Sequence, residues 1–168
     1  MSRAASSVSV DYGFTSAVRP HVRRLFALAY SILRDRHEAD EAVQETMVLA
    51  WRSWAKVLDP DNPGAWLAKI CVRHCLRQRP ALLRRRGSMS TDDASAPEIA
   101  AAPLTGRMLD LDRAYGKLSS RQRAIVVLTY HHGYTVVEAA GLMGCAAGTA
   151  RSHLARALAT LRKELGDD

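Results

Sequence analysis

The sequence predicts an all-α protein built as two small helical domains joined by a flexible linker. Three observations carry that expectation. Apolar residues recur at intervals of three and four along most of the chain, the period of a helix with one buried face. Asp35 with Glu38, and Thr135 with Glu138, have the spacing of helix-start capping pairs, in which side chains satisfy the free amides of a first turn. Between residues 87 and 106, GSMSTDDASAPEIAAAPLTG, the periodic pattern gives way to serine, alanine, proline, glycine and acids with no basic residue, which reads as a linker.

Composition narrows the class. A length of 168 residues allows one domain or two small ones, and 48% apolar residues suffice for real cores. The formal net charge of +7, with 17 acidic residues, suggests a polyanionic partner, although charge speaks to solubility and non-specific binding and not to fold. Three cysteines, two of them close together, do not make a disulfide framework and fit a reducing compartment. The opening MSRAASSVSVDYG lacks the apolar run of a signal peptide, and no stretch is long enough to span a bilayer. The expectation is a cytoplasmic protein without membrane insertion.

Residues 1–12 are small and polar, and no fixed structure is expected there. A helix is predicted from about Thr15 to Leu33, with Leu25, Leu28, Ala29, Ile32 and Leu33 on its apolar face, Phe26 and Tyr30 adding bulk, and Arg19, Arg23 and Arg24 solvated. Asp35 opens the next helix, in which Ala39, Ala42, Val43, Met47, Ala50, Trp51 and Trp54 share one broad face. Asp40, Glu41, Gln44 and Glu45 lie elsewhere on it. Spacing alone leaves two readings of these four: an acidic first turn favoured by the helix dipole, or a polar face that docks a protein partner.

LDPDNPG, residues 58–64, is a loop, with Asn62 a natural N-cap and Pro63 suited to the first helical position. The following helix, to about Gln78, directs Trp66, Leu67, Ile70 and Cys71 toward a core, while Lys69, Arg73 and Arg77 repeat every four residues as a basic stripe. Trp66 reads as core in preference to a base-stacking platform. Pro80 ends or kinks this helix, ahead of the consecutive Arg84, Arg85 and Arg86.

After the linker, Leu109, Leu111, Ala114, Tyr115 and Leu118 predict a short helix. Ser119 or Ser120 caps the next, RQRAIVVLTYHHG, which Gly133 closes. Its β-branched residues would suit a strand, but the flanking caps favour a helix. Residues 135–163 then read as two helices around a tight turn. The first runs through Val137, Ala140 and Met143, and Gly144 stops it. The second starts near Ala147, with an apolar stripe of Ala150, Leu154, Ala157, Leu158, Leu161 and Leu165. Thr149, Ser152, Arg156 and Lys163 face the other way, with Arg151 and His153 on the flanks. One side packs while the other presents donors and positive charge, as a helix that enters the major groove requires. The plainer reading is a helical hairpin with a solvated basic face; the cap, the small turn residues and the basic face together favour DNA.

Catalytic chemistry finds little support. Cys71, His74 and Cys75 fall at i, i+3 and i+4 on one helix, a spacing that suits zinc, but no second ligand cluster matches it and the positions point to the packed face. No nucleophile elbow, P-loop or dinucleotide fingerprint occurs. The protein is read as no enzyme, with no cofactor and no metal.

Taken together, the modules resemble the extracytoplasmic-function group of bacterial sigma-70 factors, from about residue 14 to 165. ADEAVQETMVLAW resembles the family's region 2.2, NPGAWLAKICVRHCLRQR its regions 2.3 and 2.4, and the run from Leu118 to Lys163 its region 4. The resemblance implies region 2 over 14–86, a linker over 87–106 and region 4 over 107–165. It implies core RNA polymerase as partner, through the β′ clamp helices and the β flap, together with promoter DNA and an anti-sigma factor. It places Asp40, Glu41, Gln44 and Glu45 against the clamp helices. Asp61, Asn62, Lys69, Arg73 and Arg77 fall at the −10 element, which the family melts, and Thr149, Arg151, Ser152, His153 and Arg156 at the −35 element. The acidic linker would run toward the RNA exit path. The chain departs from the family pattern at Arg73, where asparagine is frequent, at Pro80, at Ala146, where serine or proline usually caps the recognition helix, and at His153, where arginine is frequent. The competing class is a free-standing helix–turn–helix regulator that binds duplex DNA without polymerase.

Overall fold

The computed structural model describes residues 13–54, 62–77 and 106–166, and every regular element among them is helical. They fall into two compact units divided between Cys75 and Leu76. The linker at 87–106, Pro80, the three arginines at 84–86 and the loop before Asn62 lie outside the described residues.

In the first unit the helix expected as one run from Thr15 is tightened at Pro20. Residues 13–18 are helical, a 3-10 turn spans Arg19–His21, and α1 follows as Val22–Leu33. Proline has no amide to donate, so the chain takes a fresh helix start here. All five residues assigned to the apolar face of α1 are buried. Arg34 ends α1 in the left-handed region, φ 61°, with its amide donating to the Tyr30 carbonyl at 2.7 Å. The Asp35 carboxylate then accepts from the Glu38 amide at 2.8 Å and starts α2, Arg36–Trp54.

α1 packs on α2, whose Ala39, Ala42 and Ala50 are wholly buried. Two polar residues share that buried side, which periodicity did not anticipate. Thr46 is buried with its hydroxyl donating to the Ala42 carbonyl at 2.7 Å, and Glu38 is buried as well. Trp51, expected in the core, is exposed. α3 is Pro63–Arg77, capped as expected by Asn62, whose Oδ1 accepts from the Ala65 amide at 3.0 Å. It buries Leu67, Ala68, Cys71, Val72, Cys75 and Leu76, and the Cys71 thiol approaches the Leu25 carbonyl of α1 at 3.9 Å. Gly64 lets the start of α3 sit against the 3-10 turn: a Cβ there would lie 2.9 Å from His21 Cε1.

Trp66 and Ile70 are only half-buried, on the side of α3 away from that core. Trp66 instead joins an aromatic cluster. The Phe14 ring meets Trp51 and Trp54 edge-on at 5.1 and 5.4 Å, and Trp54 lies 6.1 Å from Trp66. Such contacts add to area burial and tie the 13–18 segment to the end of α2 and the start of α3.

The second unit comprises α4 (Gly106–Lys117), α5 (Ser120–Val126), α6 (Val136–Met143) and α7 (Ala147–Leu165). Ser119 caps α5 reciprocally: its hydroxyl accepts from the Gln122 amide at 3.3 Å, while the Gln122 side chain accepts from its amide at 2.8 Å. α5 continues into a wider π turn, Val127–His131. Thr135 and Glu138 form the expected capping box of α6, and Gly144 closes that helix in the left-handed conformation, φ 70°. α4, α5 and α6 all pack on α7. Ala139, Ala140, Leu142 and Met143 are buried, but Val137 is 60% exposed, contrary to its expected place on the packed face. It lies in the first turn of α6, where only one side of the helix has a neighbour.

Candidate functional site

Three surfaces collect the residues that the sequence singled out. On α2, Asp40, Glu41 and Gln44 are exposed and Glu45 is half-buried. Positions i, i+1, i+4 and i+5 share one face of a helix. Because α2 begins at Arg36, the acid of its first turn is Glu38. The dipole effect fades within that turn, so it does not account for the other four, and the acidic-first-turn reading loses its basis. His37 Nε2 lies 3.3 Å from Glu41 Oε1, both well exposed. Such pairs contribute at most about 1 kcal/mol, so this one leaves the carboxylate free to exchange partners.

On α3, Lys69 and Arg77 are exposed and Arg73 is half-buried, on the flank opposite the buried Cys71 and Cys75. Asn62 is exposed and already engaged as the helix cap. Asp61 lies outside the described residues. The structure therefore brings the stripe together with Asn62 on one helix.

On α7, Thr149, Arg151, Ser152 and Arg156 are exposed and His153 is half-buried. The Ser152 hydroxyl donates to the Gly148 carbonyl at 3.0 Å, so its oxygen faces outward as an acceptor. Ala146 occupies the N-cap with no side-chain hydrogen bond, which leaves first-turn amides without a side-chain acceptor. Of the apolar stripe, Ala150 and Ala157 are buried, Leu154, Leu158 and Leu161 half-buried, and Leu165 exposed.

The sulfur cluster behaves as core. Cys71 and Cys75 are buried and His74 is half-buried. A hydrogen bond with Cys71 and desolvation both push the Cys75 thiol well above its ordinary value, so it stays protonated, and the thiol form is not the one that ligates metals. Among the described residues, no three His, Cys, Asp or Glu side chains form a group able to hold a metal ion. No helix among them is long and apolar enough to cross a membrane.

Periodicity missed one charged residue altogether. Arg123 is buried, and its Nη1 donates to the Leu118 carbonyl at 2.7 Å. The signal in the sequence was its place four residues after a predicted N-cap, where an exposed arginine had no reason to be preferred.

Comparison with known proteins places these surfaces in context. Residues 17–88 match the family model for sigma-70 region 2, and residues 108–161 that for sigma-70, region 4. The chain is 33% identical to the ECF RNA polymerase sigma factor SigM of Mycobacterium tuberculosis, over 96% of its own length and 82% of that protein. It is 28% identical to SigL of the same organism, over 99% and 98%. Among solved structures it resembles the sigma factor RpoE of Bartonella quintana, crystallised with the anti-sigma factor NepR, at 26% identity and TM-score 0.68 over 93% of this chain and 98% of that one. CnrH in complex with the cytosolic domain of CnrY is similar at 26% identity and TM-score 0.58, over 94% and 90%.

Proposed function

The chain belongs to the extracytoplasmic-function group of sigma-70 factors, and from that premise we propose that it binds core RNA polymerase through α2 and directs it to promoters through α3 and α7. The observation that carries the docking role is the exposed face of Asp40, Glu41, Gln44 and Glu45, set beyond the reach of the helix dipole. A surface of that chemistry steers a basic partner and sets its register, and the partner in this reading is the β′ clamp helices.

Promoter reading divides between the units. Lys69, Arg73 and Arg77 follow the backbone of the −10 element, with Asp61 and Asn62 at the loop that holds an unstacked base of the opened strand. Thr149, Arg151, Ser152, His153 and Arg156 meet the −35 element in the major groove. Arginine forks suit guanine edges, and hydroxyls and cations suit phosphates. The protein supplies binding energy for melting and no covalent chemistry of its own. Region 2 is taken as residues 14–86, the linker as 87–106 and region 4 as 107–165. The β flap is the partner assigned to region 4. The likeness to RpoE and CnrH, each crystallised or solved with a regulatory partner chain, supports an anti-sigma factor for this protein too.

Core-polymerase pull-down with the purified chain, followed by run-off transcription on genomic fragments, tests this reading. Stable binding with new promoter-specific transcripts supports it. Duplex binding without any affinity for polymerase would instead indicate a free-standing helix–turn–helix regulator.

A further inference from the structure

Burying a guanidinium is unfavourable unless its donors are satisfied. Arg123 is 6% exposed, in the first turns of α5. Its Nη1 donates to the Leu118 carbonyl at 2.7 Å and its Nη2 to the Ser120 hydroxyl at 3.4 Å. Leu118 follows the last residue of α4, where carbonyls lack helical partners and the dipole favours a cation. From the other direction the Tyr115 hydroxyl donates to the Arg123 carbonyl at 3.3 Å. One residue thus fastens the end of α4 to the start of α5 by both its side chain and its backbone.

What this fastening supports is the seat of α7. Leu118, Val126 and Ala157 form a buried cluster, and Tyr115, Leu154 and Leu161 pack against it. Leu118 and Tyr115 belong to the clipped corner; Ala157, Leu154 and Leu161 are the inner stripe of α7. Arg156, beside Ala157, and Ser152 stand on its outer surface. A change in the angle between α4 and α5 therefore rotates or tilts the surface that carries Ser152 and Arg156.

We propose that Arg123 is a positioning residue for promoter specificity: it touches no DNA, and it fixes the corner against which the recognition helix is held in register. A lysine reaches one acceptor and lacks the planar fork, so it does not replace the clip. The inference rests on the −35 reading of α7.

The test uses holoenzyme assembled from core polymerase and the full-length chain, with a promoter recovered by run-off transcription and a control whose upstream element is scrambled. R123K, Y115F and S120A are compared with the unmodified protein after circular dichroism establishes that each is folded at the assay temperature. Loss of a hydrogen bond to a charged group predicts that discrimination between the two templates falls about tenfold in R123K, less in Y115F, and least in S120A. Polymerase affinity stays constant. So does the salt dependence of duplex binding, because no phosphate contact is removed. A folded R123K that discriminates as well as the unmodified protein overturns the proposal. So does a salt slope reduced by about one, which marks Arg123 as a phosphate ligand. Should R123K not fold, Y115F decides: lowered discrimination supports the clip and unchanged discrimination overturns it. If the unmodified holoenzyme ignores the scrambled element, the −35 reading falls, and the inference falls with it.

Discussion

α2 and α7 are each 19 residues long, and each turns one face to solvent, yet they are seated differently. α2 starts under the Asp35 carboxylate and buries Glu38, Ala39, Ala42, Val43, Thr46 and Ala50. α7 starts without a side-chain cap and buries only Ala150 and Ala157. The first is set deep and leaves out a narrow strip of carboxylates and an amide. The second rests shallowly and keeps most of its circumference available, as a helix that must enter a groove needs. Length and amphipathicity are alike; depth of seating and sign of charge separate a helix that docks protein from one that reads DNA.

The contrast is broken most severely by reversing charge on α2. Gln44→Lys with Glu45→Lys places cations against a basic partner, and a penalty of several kcal/mol lowers core-polymerase affinity on the order of a hundredfold. Fluorescence anisotropy with labelled duplex checks that DNA binding by the same variant is unchanged. The reciprocal change is smaller: Arg156→Ala lowers promoter discrimination about tenfold, as loss of one base or phosphate contact predicts, while pull-down of polymerase is unaffected. Damage to the same step by both variants would remove the division of labour.

Giving α7 the cap that α2 has sharpens the comparison. Ala146→Ser adds a side-chain acceptor worth about 0.5–2 kcal/mol, read as a rise of a few degrees in a thermal melt. The smallest effect concerns the cap of α6. The Thr135 hydroxyl donates to Glu138 Oε2 at 2.7 Å and its amide donates at 2.8 Å, holding that carboxyl below its ordinary range. A depressed folded-state value means that the stabilisation is present above the unfolded value and disappears as pH falls through the folded one. Glu138→Gln therefore melts below the unmodified protein at neutral pH, and the two melting curves converge under acid conditions.

Much of this was legible in one dimension because caps and periodicity are local. Ser119 with Gln122, Thr135 with Glu138, and Gly144 act on amides three or four residues away, and their positions followed from spacing. Residues decided by a neighbouring helix did not. Thr46 and Glu38 are buried because α2 is overlaid by its partners, Trp51 is exposed because the packed side has turned away at the helix end, and Arg123 is buried because a turn delivers the Leu118 carbonyl to it. The candidate contact residues were readable as a family pattern, and their exposure followed from lying opposite apolar stripes. The independence of the four α2 residues from the helix dipole required knowing that the helix begins at Arg36.

The π turn at Val127–His131 carries a consequence for how this molecule tolerates change in chain length. There the His132 amide reaches back five residues to the Val127 carbonyl at 3.1 Å, and the Tyr134 amide reaches Leu128 at 3.0 Å. A wide turn of this kind holds one residue more than an α turn, and each residue advances a helix by about 100°. Deleting a single residue here would let the helix close into ordinary α geometry while shifting the phase of everything after it. The approach of the chain to Thr135 would change by more than a quarter revolution, and α6 and α7 would leave the corner at a different azimuth. Insertions and deletions in this short segment are thus changes of aim, whereas the same events a few residues later, beyond Gly133, alter only the length of a connection.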